Sequence, residues 1–416
     1  MPAAAPLPMV DKPAVLVIFA LTYLGLAAGR VPGLKIDRTG IAVLGAIAML
    51  VFGGPPTTVL IGFINWPTLL LLFSFFVISA QLRLSGFFDV VANGIARRLG
   101  NPSLFLLLLM LATAGLSAFL NHDIVCFVFT PVVAVALLEK RLNPVPFLIA
   151  LAIASNIGSA ATLIGNPQGM MIAQIGGLGF GPYASWCLAP VLFALVCAYG
   201  IIWLLSRSRG GAPEPPPARV ETKYPFNLPH TIKGLVILAV VIGLFFSSLP
   251  KEIVALTAAG IHLASPRYRT SDLLGLVDWQ ILVLFMGLFV VTGAFQATGC
   301  GEQAVRWLSS EGLKLESYQT LTLVTAALSN LINNSAAVML LLKVADVARP
   351  PAAYVLALAN SVGGSLVIAG SVSNIIVVQK AREMGIEISF RAFLRIGVPF
   401  TIAALAGLIG WVALMT

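Results

Sequence analysis

Charge is the scarcest ingredient of this chain. Only 10% of its residues are Asp, Glu, Lys or Arg, against roughly 25% in soluble domains, and a mean hydropathy of +0.98 accompanies that shortage. A soluble globular fold is thereby excluded. Histidine and cysteine are nearly as rare, at 3 and 4 residues. Cys126, Cys187, Cys197 and Cys300 show no paired spacing, so neither a disulfide framework nor a zinc site is suggested, and they read as small core residues. No Ser/His/Asp or metal constellation falls at helical spacing, which argues against an enzyme and leaves no cofactor to expect. The first residues lack a basic n-region and a cleavage site, so the first hydrophobic segment is expected to stay in the mature chain.

What fills the chain instead is apolar sequence, 59% of it. Stretches near the 20 or so residues that a bilayer demands recur from end to end, among them 13–29, 104–120, 183–205 and 396–415. The net charge of +9 would suggest an anionic partner such as nucleic acid in a soluble protein; here its distribution among loops is the better guide. With ten crossings, one set of loops holds 19 of the 25 Lys and Arg residues. That imbalance places this set in the cytoplasm and both termini outside. Residues 207–229 turn polar and rich in Pro and Gly, which suits a linker and not a membrane helix.

The chain also repeats itself. Residues 154–174 lie over 359–379 without a gap at an offset of 205, with Ala154/Ala359, Gly158/Gly363, Gly165/Gly370 and Gln174/Gln379 identical. Residues 66–86 lie over 279–299 at an offset of 213, matching Trp66/Trp279, Leu69/Leu282, Phe76/Phe289 and Gly86/Gly299. An odd number of crossings per half turns the second copy upside down. The expected fold is therefore an all-α polytopic membrane protein of two inverted repeats, residues 1–206 and 233–416, joined by a cytoplasmic linker at 207–232. Each repeat carries five crossings, a re-entrant hairpin and a broken helix, for about 10–11 transmembrane helices in all. An amphipathic stretch precedes each hairpin, at 87–100 and 302–313, and suits the interface.

Polar residues interrupt the apolar runs at matching places. Asn121, His122 and Asp123 break one hairpin at its tip; Asn333, Asn334 and Ser335 break the other. The following segments carry Ser155, Asn156, Gly158, Thr162, Gly165, Asn166, Pro167 and Gln168 in the first half, and Asn360, Ser361, Gly363, Gly364, Ser365, Gly370, Ser371, Ser373 and Asn374 in the second. A broken helix exposes N–H groups to an anion and C=O groups to a cation. Glycine lets a ligand approach the backbone, and Pro167 stops a helix from running through. Asp123 is the one acid in the middle of an apolar run in the first half, and buried intramembrane acids usually serve ion or proton pathways. Helix capping is its structural alternative.

The run Leu120-Asn121-His122-Asp123-Ile124-Val125 with Thr130-Pro131-Val132-Val133, followed by Ala154-Ser155-Asn156-Ile157-Gly158 and Gly165-Asn166-Pro167-Gln168, resembles the ion transporter superfamily. That group includes divalent anion/sodium symporters, citrate transporters, arsenite permeases and a sodium/proton antiporter group, and the Gly-Asn-Pro-Gln segment is similar to its anion permease branch. The resemblance covers nearly the whole chain. It implies substrate and Na⁺ at the two tips and the unwound segments that start at Ser155 and Asn360, with Asn121, Asn156, Asn333 and Asn374 as Na⁺ ligands. It also implies a homodimer and an elevator motion. Neither tip reads Ser-Asn-Thr, the form in dicarboxylate symporters; Asn-x-Asp and Asn-Asn stand closer to the arsenite permeases and antiporters.

The expectation is a secondary transporter in a bacterial cytoplasmic membrane, moving a small inorganic or carboxylate anion coupled to Na⁺ or H⁺. Metalloid efflux or Na⁺/H⁺ exchange through Asp123 stands as the alternative.

Overall fold

The computed structural model describes residues 11–29, 35–206, 224–311, 314–344 and 350–415. The linker up to residue 223, and Asp346 and Arg349, lie outside these. All regular structure among the described residues is helical. In the first half the helices are α1 (Lys12–Ala28), α2 (Arg38–Phe52), α3 (Thr57–Gly62), α4 (Trp66–Leu84), α5 (Phe87–Ala96), α6 (Pro102–Phe119), α7 (His122–Glu139), α8 (Val145–Ser159), α9 (Pro167–Gly176) and α10 (Phe180–Ser206). The second half gives α11 (Leu228–Leu244), α12 (Lys251–Leu263), α13 (Thr270–Leu274), α14 (Trp279–Ala297), α15 (Cys300–Ser310), α16 (Tyr318–Ile332), α17 (Asn334–Val344), α18 (Pro350–Gly363), α19 (Val372–Glu383) and α20 (Phe390–Met415). The order of long, short and broken helices is the same in both, including the short α3 and α13, which carried no sequence signal.

Local chemistry explains the correspondence. Helices α1 and α11 begin with an Asx-x-Pro sequence in which Asp11 and Asn227 accept from the backbone N–H groups of Ala14 and His230. Asn65 and Asp278 cap α4 and α14 in the same way at 3.0 and 3.1 Å. Such caps satisfy donors that have no partner within the helix. Both α4 and α14 then run to a glycine with positive φ, Gly86 at 73° and Gly299 at 74°. At Gly86 a side chain would also strike the backbone of Phe226. There the start of the second half is pinned to the first: Asn227 N–H donates to the Ser85 carbonyl at 2.9 Å, and Thr231 Oγ1 to Ser85 Oγ at 3.0 Å.

The halves interlock instead of forming separate bodies. Helix α4 packs on α12 and α2 on α14, while α7 packs on α19 and α9 on α17. Each of these pairs joins one half to the other. Within a half, the first hairpin helix packs on the broken one, α6 on α8 and α16 on α18. Glycine sets how closely. A Cβ at Gly158 would fall on the Ala114 backbone, and one at Gly363 would lie 2.7 Å from Ala326 Cα. Gly158→Ala is therefore expected to cost about 1–3 kcal/mol or more through overpacking and to lower the thermal unfolding midpoint. Gly115→Ala, where a Cβ meets nothing within 4 Å, should be neutral or slightly stabilising on helix propensity.

Among the described residues six helices, α4, α6, α7, α10, α14 and α20, are long and apolar enough to cross a membrane, and shorter apolar helices accompany them. The hairpin arms α6 and α7 are among the six, and the break between them is tighter than the sequence suggested. Helix α6 reaches Phe119 and α7 starts at His122. The second hairpin turns at Asn333 alone.

Candidate functional site

The two hairpin tips are built by one device. Asn121 Oδ1 accepts from the Asp123 backbone N–H at 2.8 Å, and Asn333 Oδ1 accepts from the Ser335 N–H at the same distance. In each case the asparagine side chain substitutes for the carbonyl of a turn and starts the next helix. Asn333 does so at a φ of 84°, a left-handed conformation that costs a non-glycine residue about 1–3 kcal/mol unless its surroundings enforce it. All six tip residues are buried, Asn121, His122, Asp123, Asn333, Asn334 and Ser335 each exposing less than a tenth of their surface.

The broken segments come between the tips, and each reaches across to the opposite half. Ser373, just inside α19, donates to Asp123 Oδ1 at 2.6 Å, while Gln168, at the corresponding place in α9, donates to Ser335 Oγ at 2.8 Å. A second pair repeats the exchange. Ser371 Oγ donates to Asn156 Oδ1 at 2.7 Å, and Asn166 Nδ2 lies 3.5 Å from Ser361 Oγ. The centre is closed by Asn156 Nδ2 donating to Asn374 Oδ1 at 2.9 Å, while Asn374 Nδ2 bridges the Gly364 and Val367 carbonyls. The two Asn374 bonds satisfy broken backbone that could not otherwise face an apolar surround.

Within each half further bonds tie tip to break. Ser155 Oγ donates to the His122 carbonyl at 3.1 Å and meets Ser117 Oγ at 3.2 Å. Thr162 donates to the Ala118 carbonyl. Asn166 binds Ser159 Oγ and caps α9 through the Gly169 N–H. Gly165 leaves room for the Ser117 and Ser159 carbonyls. In the second half Asn330 Nδ2 bridges the Ala326 and Gly363 carbonyls, Ser365 Oγ reaches the Ser361 carbonyl, and Gly370 and Gly364 pass close to Asn330 and Asn334. Asn360 is buried beside them, with its side-chain oxygen free of hydrogen bonds.

The sequence reading did not single out Asn330, Ser117 or Ser79, whose Oγ accepts the Asn121 N–H. A signal existed: Thr-Ala-x-Leu-Ser-x-x-x-Asn ends at both Asn121 and Asn333, at an offset of 212. It places Ser117 and Ser329 one turn before their tips.

Chemically the crossing offers three things. Helices α7, α9, α17 and α19 all start there, so four positive dipole ends converge. Several buried atoms have no protein partner, namely His122 Nδ1 and the side-chain oxygens of Asn330, Asn334 and Asn360. The side-chain oxygens of Asn121, Asn156, Asn333 and Asn374 already accept one protein donor each. The sole carboxylate at the crossing among the described residues is Asp123, with His122 Nε2 at 3.6 Å from the oxygen that Ser373 also binds. Cys126 is buried nearby and is unpaired. No lysine or arginine is buried among the described residues.

A buried polar crossing between two helical halves that each carry a hairpin and a broken helix defines a membrane transporter. The chain belongs to the citrate transporter family, which it matches over residues 14–355. It is 30% identical to the "46 kDa membrane protein" of Mycobacterium leprae, over 95% of this chain and 97% of that one. It is 27% identical to the silicon efflux transporter LSI3 of rice, over 94% and 95% of the two chains. Its fold is that of the crystal structure of the Alcanivorax borkumensis YdaH transporter, with a TM-score of 0.60, 15% identity and coverage of 97% of this chain and 99% of that one.

Proposed function

We propose that this integral membrane protein is a secondary transporter of a small anion, driven by Na⁺ or H⁺ that binds with it at the crossing of tips and breaks. The observation that carries this reading is the convergence of four helix starts on a buried site that holds no lysine or arginine among the described residues. Helix N-termini favour an anion, but dipoles leave its net charge unbalanced in an apolar surround, and burying an unpaired charge is costly. A cation bound at the same time supplies the balance. Asn330, Asn334 and Asn360 supply oxygens without donors, the ligand type that Na⁺ takes, and Asp123 is the group that can take H⁺. The repeated order of ten helices and the exchanged contacts between halves support inverted repeats moving by alternating access of the elevator type. The charge of the loops supports a bacterial cytoplasmic membrane with the termini outside; a homodimer is the assembly that such motion calls for.

A second reading is kept alive by Asp123 and His122. The paired titratable groups lie on one side of the crossing only, and a relative transports silicon outward by name. Efflux of a neutral or weakly acidic metalloid, or exchange of Na⁺ for H⁺, uses that pair without an anion.

Thermal unfolding of the purified protein separates the two. Citrate, other dicarboxylates, sulfate, arsenite and silicate are each added with and without Na⁺ across a pH series. A ligand at 100 times its dissociation constant adds about 2.7 kcal/mol of stability. The expected result is stabilisation by an anion that requires Na⁺ or low pH. Stabilisation by Na⁺ or pH alone, with every anion silent, overturns the anion reading in favour of the second.

A further inference from the structure

Away from the crossing, at the open end of the first hairpin, a cavity of about 300 Å³ lies between α6, α8 and α10. Its walls are mixed. Phe147, Leu106 and Pro146 line the inner part, while Ser103, Asn143 and Trp203 line the mouth. The Trp203 indole N–H donates to Ser103 Oγ at 3.0 Å, which holds the polar edge of this lining residue.

The surroundings of this cavity divide sharply by chemistry. On the membrane side, α6 exposes Leu104, Leu107 and Leu111 along one stripe, and α10 exposes Leu188, Leu192, Val196 and Leu204. On the polar side, Lys140 and Arg141, which directly precede the lining residues Leu142 and Asn143, are exposed, as is Arg98, four residues before Pro102. None of these three forms an ion pair among the described residues, and Glu139 is the acid exposed next to them. A tryptophan with unpaired Lys and Arg beside it, at the end of an apolar helix, marks a membrane interface. Clustered cations at such an interface attract anionic lipid, whereas zwitterionic lipid gains nothing from them.

We propose that this cavity is a binding site for an anionic phospholipid, with the phosphate at Ser103 and the cations of the mouth and an acyl chain in the groove between α6 and α10. A lipid so placed adds to the contacts that already join the hairpin to α10, among them the Trp203–Ser103 bond. The inference is independent of what the protein transports. Charge complementarity and the apolar groove together select a lipid over a free phosphate, which would use the cations but leave the leucine stripes uncovered.

The test is thermal unfolding of the full chain in mixed micelles, titrated with phosphatidylglycerol, with phosphatidylcholine or with inorganic phosphate. Phosphatidylglycerol is expected to raise the midpoint saturably and the other two are not. In a Lys140→Gln/Arg141→Gln variant the concentration for half-maximal stabilisation should rise by about 30-fold, the effect of two interfacial cations. Arg391→Gln/Arg395→Gln removes the same charge from exposed positions on α20 and should leave the titration unchanged. Equal shifts with phosphatidylcholine, or equal losses in the two variants, would overturn the site. Inorganic phosphate reproducing the shift would replace the lipid with a free anion and overturn the proposal as well.

Discussion

Transport by an Asp123→Asn variant is expected to lose its dependence on pH and to fall by about 10- to 100-fold, the worth of one charge-assisted hydrogen bond in a buried site, while the folded protein is still recovered from the membrane. The geometry makes asparagine the right replacement. Its side-chain oxygen can keep accepting from Ser373, which lies 2.6 Å from the carboxylate, and its size is the same. What disappears is the capacity to gain and lose a proton, or to hold a cation by charge. Leucine would instead leave Ser373 unpaired and confuse chemistry with folding. A purely structural Asp123, serving the N-terminus of α7 in its first turn, contributes about 0.3–1 kcal/mol. In that case the variant shows a lower unfolding midpoint and an unaltered pH profile of uptake, and the proton role is refuted. Loss of Na⁺ dependence with pH dependence intact would assign Asp123 to the metal cation.

This expectation draws on an asymmetry that the repeat makes visible. The contact Ser373 to Asp123 corresponds residue by residue to Gln168 to Ser335, yet one version contains an acid and the other only neutral groups. A neutral amide and hydroxyl cannot change charge state in the physiological range, so the Gln168–Ser335 contact keeps one protonation state. The free amide oxygens of Asn330, Asn334 and Asn360 are all in that half. The carboxylate and the free amide oxygens thus occur in different halves of one crossing, so under the proposed mechanism H⁺ and Na⁺ would bind at separate places.

Much of this arrangement is legible in the sequence because it rests on local spacing. The offsets of 205 and 213 locate the repeat, and the glycines and asparagines that stop helices mark the tips and breaks within a residue or two. The partners of those residues are a different matter. That Asn166 meets Ser361, or that Asn156 meets Ser371, depends on how the two halves cross, and spacing along one chain carries no trace of it. The short α3 and α13 escaped for another reason: at 6 and 5 residues they complete little more than a turn and show no periodicity. Asn330 has no counterpart in the first half, where Ala118 occupies the matching place, and its amide bridges two carbonyls only because α18 packs beside it.

The largest structural effect is expected at Asn374. Its amide nitrogen closes the Gly364 and Val367 carbonyls at 2.8 and 3.0 Å, and its oxygen accepts from Asn156 at 2.9 Å. A single interhelical hydrogen bond in a membrane protein is worth only about 0.6 kcal/mol on average. By that measure the Asn156 contact alone is minor. Alanine at 374 removes three bonds, however, and leaves the Gly364 carbonyl at the broken helix without a donor, at a cost of about 1–3 kcal/mol when buried, while the Val367 carbonyl still accepts from the Gly370 N–H at 3.1 Å. Asn374→Ala should therefore lower stability more than Asn156→Ala, which removes two side-chain bonds and orphans no backbone carbonyl, and both should abolish transport if the break that each supports lines the proposed site. The double variant tests whether they act as one unit. If they do, its loss of stability falls short of the sum of the single losses by about 0.5–3 kcal/mol, the coupling seen between residues in contact. Strict additivity, measured by chemical denaturation of the four proteins in micelles, would mean that the two asparagines do not join the halves.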